Sequence, residues 1–118
     1  MRRGEIWTVR GGAGFAGKPR PAVVIQDDSF DATASVTICI LTTTETDAPL
    51  IRLPVEPSER NGLRLASWLM VDKIVTVPRS KVGHRLGHLH DDDVLRLNRA
   101  ILVFLGLATS SRTQSASQ

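Results

Sequence analysis

The sequence predicts a mainly β (α+β) domain: a small, strongly bent sheet or barrel of five or six short strands with one C-terminal helix packed on it. Three observations predict this. Short runs rich in Val, Ile, Thr and Trp recur between residues 5 and 78, separated by Gly, Pro and Asn-Gly punctuation. A single stretch with helical apolar spacing follows over residues 91–108. The chain has 118 residues, the size of one domain with one core.

"EIWTV" (residues 5–9) reads as the first strand. "RGGAGFAGKPR" (10–20) is a glycine-rich loop without the GxxxxGK[ST] pattern, so it is not a phosphate-binding P-loop. It reads as a mobile surface loop of the kind that gates sites. "PAVVIQ" is the second strand and "DDSFDATA" a polar connector. "SVTICILTTT" is the third strand, apolar on both faces and therefore central. "ETDAP" is a turn, and "LIRLPVEP" an edge-like fourth strand broken by Pro54. "SERNGLRLAS" is a loop with Asn-Gly turn chemistry. "WLMVDKIVTVP" holds one or two short strands, bent near Asp72, and "SKVGHRLGHLH" is too glycine-rich to read as a helix.

"DDDVLRLNRAILVFLGLA" is the clear helix, capped by His90 or Asp91, with acids complementing its first-turn dipole. Val94, Leu97, Ile101 and Phe104 share one face, Leu95 and Leu102 widen the stripe, and Gly106 ends it. That is more apolar surface than one small sheet covers, which points to a partner. "TSSRTQSASQ" is a polar tail expected to be disordered. The expected organisation is one domain over residues 1–108 and a tail over 109–118.

Composition bounds the function classes. The chain is 42% apolar and 23% charged, with a net charge of +3, a weak pointer to a polyanionic partner. Its one cysteine, Cys39, excludes a disulfide framework within the chain and reads as a buried small hydrophobe. "MRRGEIW" has no apolar stretch behind its arginines, and "AILVFLGLA" is well short of the ~20 residues of a membrane helix. A cytoplasmic protein is expected.

Several constellations have bland explanations. His84 and His88 have the i, i+4 spacing of a zinc pair, but Gly83 and Gly87 argue against a helix there, and no further ligand completes the set. Asp91, Asp92 and Asp93 are explained by a helix N-terminus. Trp7 and Trp68 read as core residues, and nothing resembles the aromatic interleaving of single-strand binders. No metal or cofactor is assigned.

Two features stand apart. In "GKPRPAVVIQDD", Pro19 and Pro21 flank Arg20, each fixing its own φ and holding the preceding residue extended. A strand that opens on a cation so stiffly framed suits presentation of that cation to an anion. In "TTTE", three hydroxyls end an apolar strand. Arginine offers a forked, always-charged donor set matched to phosphate oxygens, and threonine a donor and acceptor at short reach. A phosphodiester site and plain strand-end threonines are both compatible with the residues alone.

The segments in order, "RRGEIW", a glycine-rich loop, "RPAVVIQ", a strand ending in "TT", "NGL…S…VDKI.TVP" and "G.L..DDV..LNRA…LGL", resemble the MazF/PemK/Kid family of toxin endoribonucleases up to about Leu107. The resemblance implies an SH3-like, strongly twisted small barrel with a C-terminal helix, of the CcdB/PemK kind. It implies a toxin of a type II toxin–antitoxin module, a homodimer that cuts single-stranded mRNA at short sequences without a metal, and a cognate antitoxin that blocks the groove. It places the family's catalytic arginine at Arg20 and its threonine at Thr42. Thr43, Glu5, Lys18, Ser67 and Asp72 are implied to bind substrate or border the groove. The implied reaction is transesterification to a 2′,3′-cyclic phosphate and a 5′-OH. The glutamate, and in some relatives histidine, of the loop before the arginine have no counterpart in "GGAGFAGKP", and Met70 stands where some relatives carry an arginine. The general base is therefore unassigned. A non-catalytic toxin of the CcdB type acting on gyrase and a passive nucleic-acid-binding barrel are the alternatives.

Overall fold

A computed structural model describes residues 1–10 and 18–109. The glycine-rich segment 11–17 and the polar tail from residue 110 onward, with the gating and disorder expected of them, lie outside the described residues. Six strands and one helix make up the fold: β1 Glu5–Val9, β2 Arg20–Val24, β3 Ser35–Thr42, β4 Arg52–Val55, β5 Ser67–Pro78, β6 Val82–His88 and α1 Asp91–Phe104. All strand pairs are antiparallel, in the order β4-β5-β3-β2-β1-β6. The sheet bends but stays open, with β4 and β6 as its two edges. β3 is central and β4 lies at an edge, where Pro54 is tolerated because an outward N–H is not needed.

"WLMVDKIVTVP" forms one long strand, not two. Leu41 pairs with Leu69 and Cys39 with Ile74, so Met70 to Lys73 stand opposite Ile40 alone. This irregularity falls at Asp72, where the sequence breaks its alternation, and extra residues on one strand of a pair bend that strand.

Alternation sorts the apolar residues onto two faces. On one, Ile6, Val23, Cys39, Leu41, Leu53, Leu69 and Val71 pack with Leu89 and Leu97. On the other, Val9, Ala22, Val24, Val36, Ile38 and Ile40 form a second cluster with Trp7 and Met70 against it. Helix α1 lies on the first face against β4 and β5. Leu97 is fully buried, and Val94, Ala100 and Ile101 pack around it. Phe104 does not join them. It is 47% exposed, and Leu95 and Leu102 are 54% and 42% exposed, because the helix presents more apolar surface than the sheet beneath it can cover.

His90 occupies the helix N-cap position without making a capping bond. Its Nε2 instead lies 2.9 Å from the Ser58 hydroxyl, while Asp91, Asp92 and Asp93 fill the first turn. At the other end Gly106 takes φ +76°, and the Leu107 N–H returns to the Leu102 carbonyl, a Schellman-type stop.

The loop between β4 and β5 is pinned to β6. Gly62 has φ +70°, and a Cβ there would strike the Leu86 backbone, while a Cβ at Gly87 would strike Arg60 and Asn61. Asn61 is completely buried. Its Oδ1 accepts from the N–H groups of Ser58 (2.9 Å) and Leu63 (3.0 Å), and its Nδ2 donates to the Glu56 carbonyl (2.8 Å).

Candidate active site at the paired ends of the second and third strands

β2 begins at Arg20, immediately after Pro19, and β3 ends at Thr42. Their ladder pairs Ala22 with Ile40 and Val24 with Ile38. Extended by two residues, that register sets Arg20 opposite Thr42. Val9 pairs with Arg20 on one side, Thr42 with Trp68 on the other, and Trp68 with Pro54 beyond it. Residues on one rung share one face of a pleated sheet. The strand end thus carries Arg20, Thr42 and Trp68 side by side on the face opposite α1.

Thr42 is anchored. Its Oγ accepts the N–H of Thr44 at 3.1 Å, a local turn that closes the strand. An oxygen that accepts from the backbone keeps its own proton to donate outward. Arg20 is half-buried and makes no ion pair among the described residues. Lys18, two residues earlier, is exposed.

The structure does not bring Glu5 to this strand end, because Val9 pairs with Arg20 and Glu5 stands four residues away at the other end of β1, and both Glu5 and Asp72 are engaged with other partners. Glu5 accepts from the Arg2 N–H (2.7 Å) and the Trp7 indole (3.1 Å) through Oε1, and from Arg85 Nε (3.0 Å) through Oε2. Partial burial pushes its pKa up, but those hydrogen bonds and the Arg85 charge outweigh it and hold the carboxyl below its ordinary value. Asp72 is clasped by Arg52 through Nε (2.9 Å) and a terminal nitrogen (3.0 Å), a fork-on-carboxylate pair. The Arg52 hydrogen bonds, opposed by partial burial, keep the Asp72 carboxyl below its usual range.

That pair has a pH signature. A folded pKa below the unfolded one gives stability that is present above the unfolded value and drains away as pH falls through the folded one. Asp72→Asn is expected to lower stability by about 1.5–3 kcal/mol at pH 7, the usual worth of a hydrogen bond to a charged group. The gap between variant and wild type should narrow as pH falls below the ordinary carboxylate range and through the depressed folded value, as the wild-type side chain is neutralised. Urea denaturation of the two proteins at several pH values checks this.

Ser67 and Thr43 lie elsewhere. With Pro21, Gly62, Leu63 and Leu86 they line a pocket of about 220 Å³ under the pinned loop. Pro21 and Ser67 alternate with Arg20 and Trp68, so this pocket opens on the other face of the same strand end. Ser67 is buried and its hydroxyl donates to the Leu65 carbonyl at 2.9 Å. The sequence-assigned residues therefore divide into an Arg20–Thr42 face and a Thr43–Ser67 pocket around one edge, while Glu5 and Asp72 serve Arg85 and Arg52.

The histidines do not converge on this edge. His90 reaches Ser58, and His88 Nδ1 lies 2.5 Å from the Leu89 carbonyl. Among the described residues no three His, Cys, Asp or Glu side chains gather as an ion site. Cys39 is buried and its thiol is pushed up to about 12, chiefly by burial, so it is chemically inert. Sequence reasoning missed two residues. Asn61 looked like a surface turn residue, and Trp68 looked like core.

The arrangement offers a rigidly framed guanidinium beside an anchored hydroxyl donor at an open sheet end. Comparison with known proteins shows the family of the chain. A curated protein from Mycolicibacterium smegmatis, named probable endoribonuclease MazF, is 55% identical over 108 residues, covering 92% of this chain and 99% of the relative. Among solved structures, an endoribonuclease in complex with its cognate antitoxin from a mycobacterial species superposes with a TM-score of 0.77 at 24% identity, over 93% of this chain and 99% of that one. The Mycobacterium tuberculosis toxin MazF-mt6 gives 0.75 at 24% identity, over 89% and 99%. These structures share the fold of an open antiparallel sheet with a C-terminal helix. Residues 2–105 match the family described as PemK-like, MazF-like toxin of type II toxin-antitoxin system, and with the match covering nearly the whole domain, the chain belongs to that family.

Proposed function

We infer that this protein is the endoribonuclease toxin of a type II toxin–antitoxin module. It cuts single-stranded RNA by transesterification at short sequence sites, without a metal. The toxin domain spans residues 1–108 and acts in the cytoplasm as a homodimer restrained by a cognate antitoxin. Among the described residues no helix is long and apolar enough to cross a membrane.

The observation that carries this reading is the β2–β3 register, which, continued two residues past the Ala22–Ile40 pair, sets Arg20 opposite Thr42, whose oxygen accepts the Thr44 N–H and leaves its own proton available to a ligand. In the reaction the 2′-oxygen attacks the adjacent phosphorus and the P–O5′ bond breaks. The 2′ proton is given up and the departing 5′-oxygen takes one, leaving a 2′,3′-cyclic phosphate and a 5′-OH. Charge grows on the nonbridging oxygens in between. Arg20 meets that charge with a fork whose backbone is already stiff, so little reorganisation is required. Thr42 donates to a nonbridging oxygen. Lys18 adds positive potential along the strand's approach, and Thr43 and Ser67 border the path of the chain on the far side of the edge. Glu5 acts through Arg85, which it holds in place. Asp72 acts through Arg52.

Substitution at Thr42 tests the site. Thr42→Val removes the donor and keeps the shape, and is expected to lower kcat about 10–100-fold. Thr42→Ser retains the hydroxyl and should stay within a few-fold of wild type. Equal losses in the two variants would place the hydroxyl outside the chemistry.

A further inference from the structure

Trp68 is one of two tryptophans in the chain, and the cleavage chemistry above leaves it without a role. Its strand partners across the sheet are Thr42 and Pro54. It sits at the end of β5 where the sheet edge opens, and it is only partly buried. Its side chain lines an open pocket of about 500 Å³ with Glu45, Thr46, Asp47, Arg52 and Pro54.

The walls of this pocket differ in kind. Trp68 and Pro54 supply flat apolar surface. The loop after β3 supplies two carboxylates and a hydroxyl from consecutive positions. That loop is already folded, with the Ala48 N–H on the Thr46 carbonyl (2.8 Å) and the Ile51 and Arg52 N–H groups on the Ala48 carbonyl (3.0 and 2.8 Å). Arg52 is held by Asp72 through one edge of its guanidinium, which stiffens the pocket floor. A planar aromatic ring fits such a slot if its edge donates hydrogen bonds, because carboxylates only accept.

We propose that this pocket takes one unstacked nucleobase of the RNA strand engaged at Arg20 and Thr42, that Trp68 is its stacking wall, and that Glu45 and Asp47 select a base bearing an exocyclic amino group over uracil. The proposal rests on the nuclease reading and deepens it. A base in this slot lies one strand from Thr42, so it belongs to a nucleotide close to the scissile bond. Stacking gives affinity that is indifferent to base identity, because every base has a π face. The carboxylates add discrimination: adenine, cytosine and guanine donate an amino N–H, whereas uracil presents carbonyl oxygens beside its ring N–H and meets repulsion at the rim.

Tryptophan emission tests the proposal without requiring turnover. Short 2′-O-methyl oligonucleotides, which cannot undergo the 2′-oxygen attack, are titrated into wild type, Trp68→Phe and the double variant Glu45→Gln/Asp47→Asn. Oligocytidine is expected to quench wild-type emission and oligouridine to do so only at much higher concentration. Quenching should vanish in Trp68→Phe, whose remaining indole is Trp7. The double variant should still quench but lose the preference for cytidine over uridine. In parallel, Trp68→Ala should weaken capture of cleavable RNA about tenfold to a hundredfold, the usual effect of removing a stacking aromatic, in KM more than in kcat. Wild-type emission that ignores both oligonucleotides, or quenching that persists in Trp68→Phe, would overturn the assignment. Quenching without cleavage of ordinary RNA would instead reject the nuclease reading and leave the pocket standing. Cleavage indifferent to Trp68 would do the reverse.

Discussion

Arg20→Ala is expected to lower the rate of RNA cleavage by about 10³-fold while leaving the melting temperature within a few degrees of wild type. The size follows from the role. Removing one preorganised donor from a site of developing oxyanion charge typically costs 10²- to 10³-fold, and a guanidinium on a phosphoryl group costs as much or more. The small effect on stability follows from the position. Arg20 is half-buried at a strand end and pairs with no described acid, so its loss leaves no buried partner unmatched. Arg20→Lys should recover only part of the activity, because a point charge cannot reproduce a two-pronged contact. Single-turnover cleavage of a defined RNA, read beside thermal melts, separates the two quantities. A variant that melts early and cuts poorly would make Arg20 structural.

Asn61→Ala is expected to have the largest effect on stability. The side chain has no solvent exposure and satisfies two backbone N–H groups and one carbonyl. Alanine would leave those groups buried without partners, at about 1–3 kcal/mol each. Partial relaxation and water entry reduce the sum, and a net loss of about 3–5 kcal/mol is expected. That is a large part of the 5–15 kcal/mol typical of a domain, and corresponds to a drop of roughly 15–25 °C in Tm. Asn61→Asp keeps both acceptor contacts but buries a carboxylate with one oxygen against the Glu56 carbonyl, so it should not restore the lost stability at pH 7. The loop it pins also carries Gly62 and Leu63 into the pocket with Ser67. Cleavage should therefore fail on warming before the sheet itself melts. A melting point unchanged in Asn61→Ala would show that water satisfies the loop.

The strands were legible because their punctuation is strong. Pro-Arg-Pro, Asn-Gly and the Asp-Ala-Pro turn mark breaks that period-2 runs fill, and the central place of β3 follows from apolar residues on both of its faces. The helix was legible from its spacing, but its inward reach was not. Phe104 fits the stripe and is still half exposed, because the helix presents more apolar surface than the sheet beneath it covers. His90 takes the cap position yet turns its ring to Ser58, a choice set by a loop 32 residues away. β5 reads as one or two strands because its alternation breaks at Asp72, and the pairing with β3 on both sides of that break makes it one.

The site was legible in its residue types, not in its assembly. Arg20 and Thr42 carry chemistry suited to phosphate, but nothing in a gap of 22 residues says that they share a rung. Register between β2 and β3 decides that, and register depends on the fold. Asn61 stayed hidden because an Asn-Gly pair is the mark of an exposed turn, and its burial arises only when β6 crosses beneath it. In the sequence Trp68 reads as a core residue, while the structure leaves it only partly buried. Its place at the start of β5, paired with the last residue of β3, leaves the ring at an open edge beside Thr42.

One measurement tests the central claim most directly. Purified, antitoxin-free protein is incubated with a long single-stranded RNA in excess EDTA, beside Arg20→Ala, and the new ends are mapped and typed. Discrete cuts that bear 5′-OH and 2′,3′-cyclic phosphate ends, and that disappear with Arg20→Ala, are the predicted result. Intact RNA from folded wild-type protein, or cuts that persist in the variant or need an added metal, would contradict it.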